Sequence, residues 1–387
     1  MHTTLLPLMT PSGQPAISLV FVRRFAIGAR GECIDTGEHE LVETLAYYDD
    51  LGPRSGYIQP SLLRRDIDLH PWREHTDLVV QGTARVQRPT TALRVVLQVR
   101  GARLGFERCI EVSGDRRVEQ GAYGLRLSEA EPFEQMPLRL DKAYGGTDER
   151  ARVEHGNREE DAMIFDTVGE EEDREYSEYS YPRNPAGKGY VVEPAAAVGT
   201  EWPNLELLDE RLSLERLVAP VEAWGERPYP ICFDWFPHAF FPRVAFFGEI
   251  PMTTDGEVPA REVQMGLLPP DLTRRPLLAR PKHQFAQGAH PMLWRHRLRG
   301  DEQIECSAIG RDGAPLRVQL PRLSPSVRIR PLGSKSEPPR PETKLDLVLI
   351  EADRQEVTLL WRATVPASHE ALMGPWERET PYSIDWR

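Results

Sequence analysis

The clearest structural signal in this chain is the stretch LDLVLIEADRQEVTLLWRATV, residues 345–365. Two runs rich in apolar and β-branched residues flank a polar segment at 352–354, which is the pattern of a β-hairpin. The same pattern recurs at 92–100 and 104–112, two alternating runs separated by a glycine-containing turn, and again around 310–313. The sequence therefore predicts a mainly β protein, with antiparallel sandwich-like layers, long irregular loops and few short helices.

Composition supports this fold class and argues against several functions. The 387 residues include 35 prolines, nearly twice the usual share of about 5%. Because proline breaks helix interiors, a helical bundle is not expected. Lys and Arg total 48 against 60 Asp and Glu, a net charge of −12. Such acidity argues against nucleic acid and against a membrane surface as partners, since both attract basic proteins.

The sequence gives no indication of export or membrane insertion. The amino terminus, MHTTLLPLMTPSGQP, lacks a basic region, and prolines interrupt its short apolar run. The whole sequence contains no run of about 20 apolar residues, which is the length a membrane-spanning helix needs. The four cysteines are scattered, which favours reduced thiols used as small apolar residues over a disulfide framework. The expected location is the reducing cytoplasm.

The chain divides by composition into four regions. Residues 1–146 form an N-terminal β-rich region and residues 300–387 a C-terminal β-hairpin region, and the sequence leaves open whether their strands share one architecture. An acidic insertion at 147–183 holds 13 acidic and 5 basic residues. It is interpreted as a solvated loop, with a partner-binding segment as the alternative. Residues 184–299 are rich in Pro, Gly and aromatic residues.

Two predictions concern particular side chains of the aromatic-rich region and the last hairpin. Leucine spacing predicts one helix over 204–217, capped by Asn204. Five tryptophans lie near Pro or Gly in polar contexts: Trp202, Trp224, Trp235, Trp294 and Trp361. They are expected to be core aromatics, with an exposed hot spot for a protein partner as the alternative.

Motifs that would identify an enzyme are absent from the sequence. It has no HExxH, no GxSxG and no phosphate-binding loop, so no catalytic or cofactor-binding residue is assigned. The best metal candidate is Asp66, Asp68 and His70, because alternate residues of a strand share a face and two carboxylates with an imidazole suit a divalent ion. The alternative is the solvated face of that strand. Asp115 and Arg116, adjacent in a turn, predict a local ion pair.

Six segments combine turn glycines, asparagines and strand patterns in a particular order. They are IDLHPWREHTDLVVQGTA (67–84), VSGDRR (112–117), FEQMPLRLDKAYGG (133–146), NPAGKGY (184–190), WPNLE (202–206) and KLDLVLIEADRQEVTLLWRATVP (344–366). Together they resemble the motifs of one bacterial family, the domain-of-unknown-function family 2169 (DUF2169). Order and spacing match across nearly the whole chain.

The resemblance implies a function that composition and spacing do not show. Members are encoded beside type VI secretion genes, and the implied role is a cytoplasmic adaptor or chaperone. Such a protein binds a secreted effector, often one with a PAAR-like tip domain, and helps to load it onto the spike. The family has no established catalytic residues to carry over. The alternatives are a metal-assisted hydrolase of unknown substrate and a structural component of the secretion apparatus.

The motif residues are interpreted as positions that define the fold. Glycine adopts backbone conformations that other residues resist, and asparagine closes turns through its side chain. The motif residues are Asp77, Gly82, Gly114, Asp115, Arg116, Tyr144, Gly145, Gly146, Asn184, Gly187, Gly189, Trp202, Pro203, Asn204, Glu206, Trp361 and Arg362.

Overall fold

The computed structural model describes residues 2–10, 13–49, 62–102, 104–151, 179–192, 194–218, 226–238, 240, 243, 286–293, 297–323, 325–330, 340–369 and 382–386. Strands dominate the regular structure of these residues. The strands are β1 (Thr3–Met9), β2 (Pro15–Ile27), β3 (Cys33–Glu38), β4 (Ala46–Tyr47), β5 (Leu63–Arg65), β6 (Asp77–Gln81), β7 (Thr83–Thr90), β8 (Ala92–Arg100), β9 (Gly105–Ser113), β10 (Val118–Gly121), β11 (Gly124–Leu127), β12 (Phe133–Pro137), β13 (Tyr144–Gly145), β14 (Lys188–Gly189), β15 (Leu205–Leu207), β16 (Gln303–Cys306), β17 (Leu316–Gln319), β18 (Ser326–Ile329), β19 (Thr343–Glu351), β20 (Glu356–Pro366) and β21 (Tyr382–Asp385).

Helical structure in the described residues is short. It includes the α-helix α1 (Leu214–Leu217) and 3-10 turns at Leu140–Lys142, Pro194–Ala196 and Arg311–Gly313. None of the helices in the described part of the chain has the length and apolar character that a membrane crossing demands. The predicted mainly β fold class, with few short helices, is confirmed.

The largest sheet joins the two ends of the chain. Its order is β1-β2-β20-β19-β6, and β3 pairs with the end of β2 that extends beyond β1. The strands β19 and β20 are antiparallel, with Glu351 opposite Glu356, so the hairpin predicted at 345–365 is confirmed. Strand β6 adds to β19 in parallel. Strands of both terminal regions therefore share one sheet. This answers the question, left open by the sequence, of whether they belong to one architecture.

A second sheet has five antiparallel strands in the order β15-β9-β8-β16-β17. Arg100 pairs with Gly105 across the β8–β9 turn. Strands β16 and β17 pair antiparallel on either side of residues 310–313. Both of these predicted hairpins are confirmed. Gly82 carries the chain from β6 into β7, and a Cβ placed there would lie 3.1 Å from that of Ala352, a close approach that favours glycine.

One apolar core extends across both sheets, as expected of packed sandwich-like layers. Phe21 of β2 stacks on Trp361 of β20 with ring centroids 5.9 Å apart. Trp202, Trp235 and Trp361 are all buried, which confirms for these three the prediction of core aromatics. Trp224 and Trp294 lie outside the described residues. Each large apolar side chain so buried contributes about 1.5–3 kcal/mol to the free energy of unfolding.

The helix predicted over 204–217 is wrong for most of its length. Leu205–Leu207 form β15, which pairs with β9, and only Leu214–Leu217 are helical, with Ser213 as the N-cap. Leucine spacing predicts the wrong structure here because the backbone conformation is fixed by pairing with β9. That pairing cannot be seen in the local sequence. Residues 152–178, most of the acidic insertion, lie outside the described residues.

Candidate functional site

The metal candidate Asp66, Asp68 and His70 lies in a buried loop, whereas the sequence predicts a strand. Strand β5 ends at Arg65, and all three side chains are buried. Asp68 exchanges two 2.8 Å bonds with the backbone of Val42: its N–H donates to the Val42 carbonyl, and its carboxylate accepts the Val42 N–H. These bonds replace strand pairing here. His70 Nε2 lies 3.1 Å from Asp66 Oδ1, so the structure brings these two residues together.

Both carboxylates of this cluster have an arginine partner. Asp66 Oδ2 accepts from Arg243 Nη2 at 2.5 Å, and Asp68 Oδ1 accepts from Arg65 Nη2 at 2.7 Å. Burial opposes ionisation of Asp66, but the Arg243 guanidinium and His70 hold its pKa well below the usual range. Burial lowers the pKa of His70. A divalent cation would have to displace a guanidinium from each carboxylate, and no group of three or more His, Cys, Asp or Glu in the described residues could hold one.

A second buried ion pair fastens this loop to the large sheet. Arg362 Nε of β20 donates to Asp346 Oδ2 of β19 at 2.7 Å, and Arg362 Nη2 donates to the carbonyl of His70 at 2.6 Å. Arg297 adds a contact at 3.4 Å to the other carboxylate oxygen of Asp346. Sequence reasoning missed Asp346, although a lone carboxylate within an apolar strand was the available signal. The motif residue Arg362 therefore holds three segments together.

The motif residue Asp77 fastens another segment to the large sheet. Its Oδ1 accepts from Gln287 Nε2 at 2.8 Å and from the Ala289 N–H at 3.1 Å, while Oδ2 accepts the Gly288 N–H at 2.9 Å. Asp77 is fully buried at the first position of β6. One carboxylate thus holds the segment 286–289 against the sheet.

The YGG and NPxGxG motifs lie side by side. Tyr144 and Gly145 pair in parallel with Lys188 and Gly189. Asn184 Nδ2 donates to the carbonyl oxygens of Leu140 and Tyr144, at 2.8 and 2.9 Å. The backbones are so close that a Cβ on Gly145 would lie 2.1 Å from the Asn184 carbonyl oxygen. Gly145 and Asn184 therefore hold the two motifs in close contact.

The predicted ion pair between Asp115 and Arg116 is wrong. Arg116 Nη2 instead pairs with Glu206 Oε2 at 3.1 Å, and Asp115 Oδ1 accepts from Asn204 Nδ2 at 2.9 Å and from Lys188 Nζ at 3.5 Å. Each residue reaches a distant segment because the WPNLE motif crosses this turn. The GDR, NPxGxG and WPNLE motifs therefore form one interlocked junction.

A buried carboxylate that sequence reasoning missed lies in the aromatic-rich segment. Asp234 accepts hydrogen bonds from Tyr48 Oη at 2.6 Å, Gln81 Nε2 at 2.8 Å and the Trp235 N–H at 2.7 Å. Burial raises the pKa of Asp234 to about 6, although these donors and the Arg139 guanidinium oppose the rise. A single acidic residue within PYPICFDWFPH was the available signal.

Asp234→Asn should make stability less sensitive to pH between 4.5 and 7.5. A folded-state pKa of about 6, above the usual aspartate pKa of about 3.9, means that the folded chain binds the proton more tightly than the unfolded chain. Stability is therefore lost as pH rises through this window, by about 2 kcal/mol. Chemical unfolding of both proteins at pH 4.5 and pH 7.5 measures this loss. The free energy of unfolding of the variant, relative to that of the native chain, should be about 2 kcal/mol higher at pH 7.5 than at pH 4.5. An equal difference at both pH values would contradict the assignment.

The described surface carries a few large apolar side chains. Tyr123 is fully exposed at the two-residue turn between β10 and β11. Ile34 is 52% exposed and Met9 49% exposed, both on strands at one edge of the large sheet. An exposed aromatic on a short, paired hairpin is a side chain that a protein partner can bury at little conformational cost.

Comparison with known proteins identifies a family but no characterised relative. No curated protein matches the chain, and no solved structure matches it. One family, described as "Uncharacterized protein conserved in bacteria (DUF2169)", matches residues 12–362. That match spans five of the six motif segments in full and residues 344–362 of the sixth, and the chain belongs to the DUF2169 family.

Proposed function

We propose that this chain is a non-enzymatic adaptor that binds a type VI secretion effector, including effectors with a PAAR-like domain, and assists loading onto the spike. The observation that carries the proposal is the pairing of Asp66 with Arg243 and of Asp68 with Arg65. Asp66 and Asp68, the side chains that most resemble a reaction centre, form ion pairs that hold loops in place. This arrangement suits a rigid scaffold that presents a surface, which is what an adaptor needs.

Charge and surface features support the same proposal. The net charge of −12 favours a client with basic surface, since complementary charge speeds and orients association. Tyr123 offers an exposed aromatic anchor. The resemblance of the six motif segments supplies the link to secretion, and the adaptor would meet its client in the cytoplasm before export.

The full chain, tagged and purified under mild conditions from the bacterium that encodes it, should bring down one partner. We expect a PAAR-containing or toxin-like protein encoded nearby, in fixed stoichiometry, and we expect its abundance to fall when the gene for this chain is deleted. Recovery of the chain alone, while the secretion machinery is active, would contradict the adaptor role. Release of the chain with the spike would identify a structural component of the apparatus instead.

A further inference from the structure

The carboxyl-terminal strand β21 has a single strand partner among the described residues, β18. The two strands are antiparallel, with Ile384 opposite Val327 and Tyr382 opposite Ile329. Val327 and Ile329 are fully buried, whereas three of the four β21 residues are exposed. Two short strands on their own are marginally stable in water. Side-chain contacts with the rest of the fold must therefore hold β21 in place.

Trp386, which follows β21, makes the aromatic contacts of this segment. Its ring lies edge-on to Phe21 and Trp361 of the large sheet, with ring centroids 5.6 and 5.4 Å apart. The guanidinium of Arg23 lies over the same ring, 4.3 Å from its centre, and adds a cation–π attraction. Ile384 and Trp386 both pack against the main apolar core. These two side chains are the anchors of the segment.

The segment 382–386, which we call the strap, has the sequence Tyr-Ser-Ile-Asp-Trp. Alternate side chains of an extended segment share a face, and in the strap these are Tyr382, Ile384 and Trp386. The Tyr382 Oη lies 2.7 Å from Thr3 Oγ1 of β1, and the two side chains between the alternate positions are exposed. Strand-binding grooves recognise peptides in this way, because main-chain hydrogen bonds give affinity and pockets for alternate side chains give specificity.

The family match includes the site that the strap covers but not the strap itself. Strand β18, Phe21 and Trp361 lie within residues 12–362, and the strap lies beyond the end of the match. We propose that β18, Phe21, Trp361 and Arg23 form a groove for an extended segment of the client, which carries an aliphatic residue and, two positions later, an aromatic one. The strap occupies this groove in the free chain and inhibits client binding until it is displaced. The identity of the occupant as client rests on the proposed function.

Binding of a labelled peptide to the full chain, measured by fluorescence polarisation, tests the proposal. The peptide acetyl-Tyr-Ser-Ile-Asp-Trp-amide competes with the strap, so its apparent affinity is reduced to the fraction of molecules whose groove is empty. Trp386→Ala removes an anchor of the strap and leaves the groove residues in place, and it should tighten peptide binding about tenfold. Asp385→Ala, which changes an exposed side chain of the same strap, should leave binding unchanged. Equal binding by Trp386→Ala and the native chain would overturn the inhibitory role of the strap.

A shuffled peptide tests whether the groove reads alternate positions. Acetyl-Tyr-Ile-Ser-Trp-Asp-amide has the same composition, but its aliphatic and aromatic residues no longer share a face with the tyrosine. It should bind Trp386→Ala about tenfold more weakly than the first peptide. Equal binding of the two peptides would overturn recognition of an extended strand.

Hydrogen exchange of the native chain tests the displacement without any substitution. A tethered segment has an effective concentration in the millimolar range, so roughly millimolar peptide is needed to compete with it. At that concentration the amides of the strap should lose protection, while those of β18 keep it because the peptide replaces the pairing. Strap amides that stay protected while the peptide is bound would place the peptide elsewhere and overturn the groove.

The co-purification experiment separates this inference from the adaptor role. Roughly millimolar acetyl-Tyr-Ser-Ile-Asp-Trp-amide, added during purification, should lower client recovery, and the shuffled peptide should not. Equal recovery with both peptides would overturn the use of the groove by the client while leaving the adaptor role intact. Tighter peptide binding by Trp386→Ala, with no client recovered under any condition, would contradict only the adaptor role. A native dimer that dissociates on Trp386→Ala would identify the strap of a second copy as the occupant and overturn displacement by a client.

Discussion

Gly145→Ala should lower the free energy of unfolding by roughly 4 kcal/mol, through steric overlap and backbone strain together. Gly145 has φ +143°, a conformation that favours glycine, and an added Cβ would lie 2.1 Å from the Asn184 carbonyl oxygen. That oxygen cannot retreat freely, because it accepts the Gly146 N–H at 2.8 Å and the Asn184 side chain is itself bonded to two carbonyls. Denaturant unfolding of the full chain measures the effect.

Gly124→Ala is the matched control for this substitution. Gly124 has a similar φ of +132°, at the exposed β10–β11 turn, and an added Cβ there would meet no atom within 4 Å. It should therefore cost only the conformational strain, about 1–3 kcal/mol, and less than Gly145→Ala. Equal losses for the two variants would mean that the close approach of the YGG and NPxGxG motifs contributes nothing beyond the glycine conformation.

How far the sequence predicts this fold depends on how local each interaction is. The hairpins β8–β9 and β19–β20 are predictable because a short turn brings consecutive alternating runs together. The strand β15 is not, because its partner β9 lies about 90 residues earlier and its leucines also match a helical period. Local turn chemistry is visible in one sequence, whereas the partner of a distant strand is not.

The candidate sites show the same limit for charged groups. Asp66 and His70 are four residues apart and meet, but Arg243, which decides the electrostatics of Asp66, is 177 residues away. Arg116 has an acidic neighbour in the sequence yet pairs with Glu206, 90 residues away. A single sequence shows which residues carry charge, and the topology determines which of them become partners. For that reason the apparent metal site is an ion-paired loop.

Asp77→Ala should lower the free energy of unfolding by about 3–5 kcal/mol, the usual cost of removing one partner from a buried charged network. The carboxylate accepts three hydrogen bonds, from Gln287 Nε2 and the Gly288 and Ala289 N–H groups. Alanine would leave all three buried donors without their acceptor, and the guanidinium of Arg73 without its nearest carboxylate. Denaturant unfolding at neutral pH measures the loss.

Asp353→Ala gives the reference for this loss, because it removes a carboxylate with a single partner. Asp353 pairs with Arg85 at 2.7 Å, but its side chain is 52% exposed at the β19–β20 turn. Solvent compensates both charges there, so the change should be within about 0.5 kcal/mol. The contrast between the two variants isolates what burial adds to a carboxylate. If Asp77→Ala cost no more than Asp353→Ala, segment 286–289 would be held by its apolar contacts, and the motif aspartate would not fasten it to the sheet.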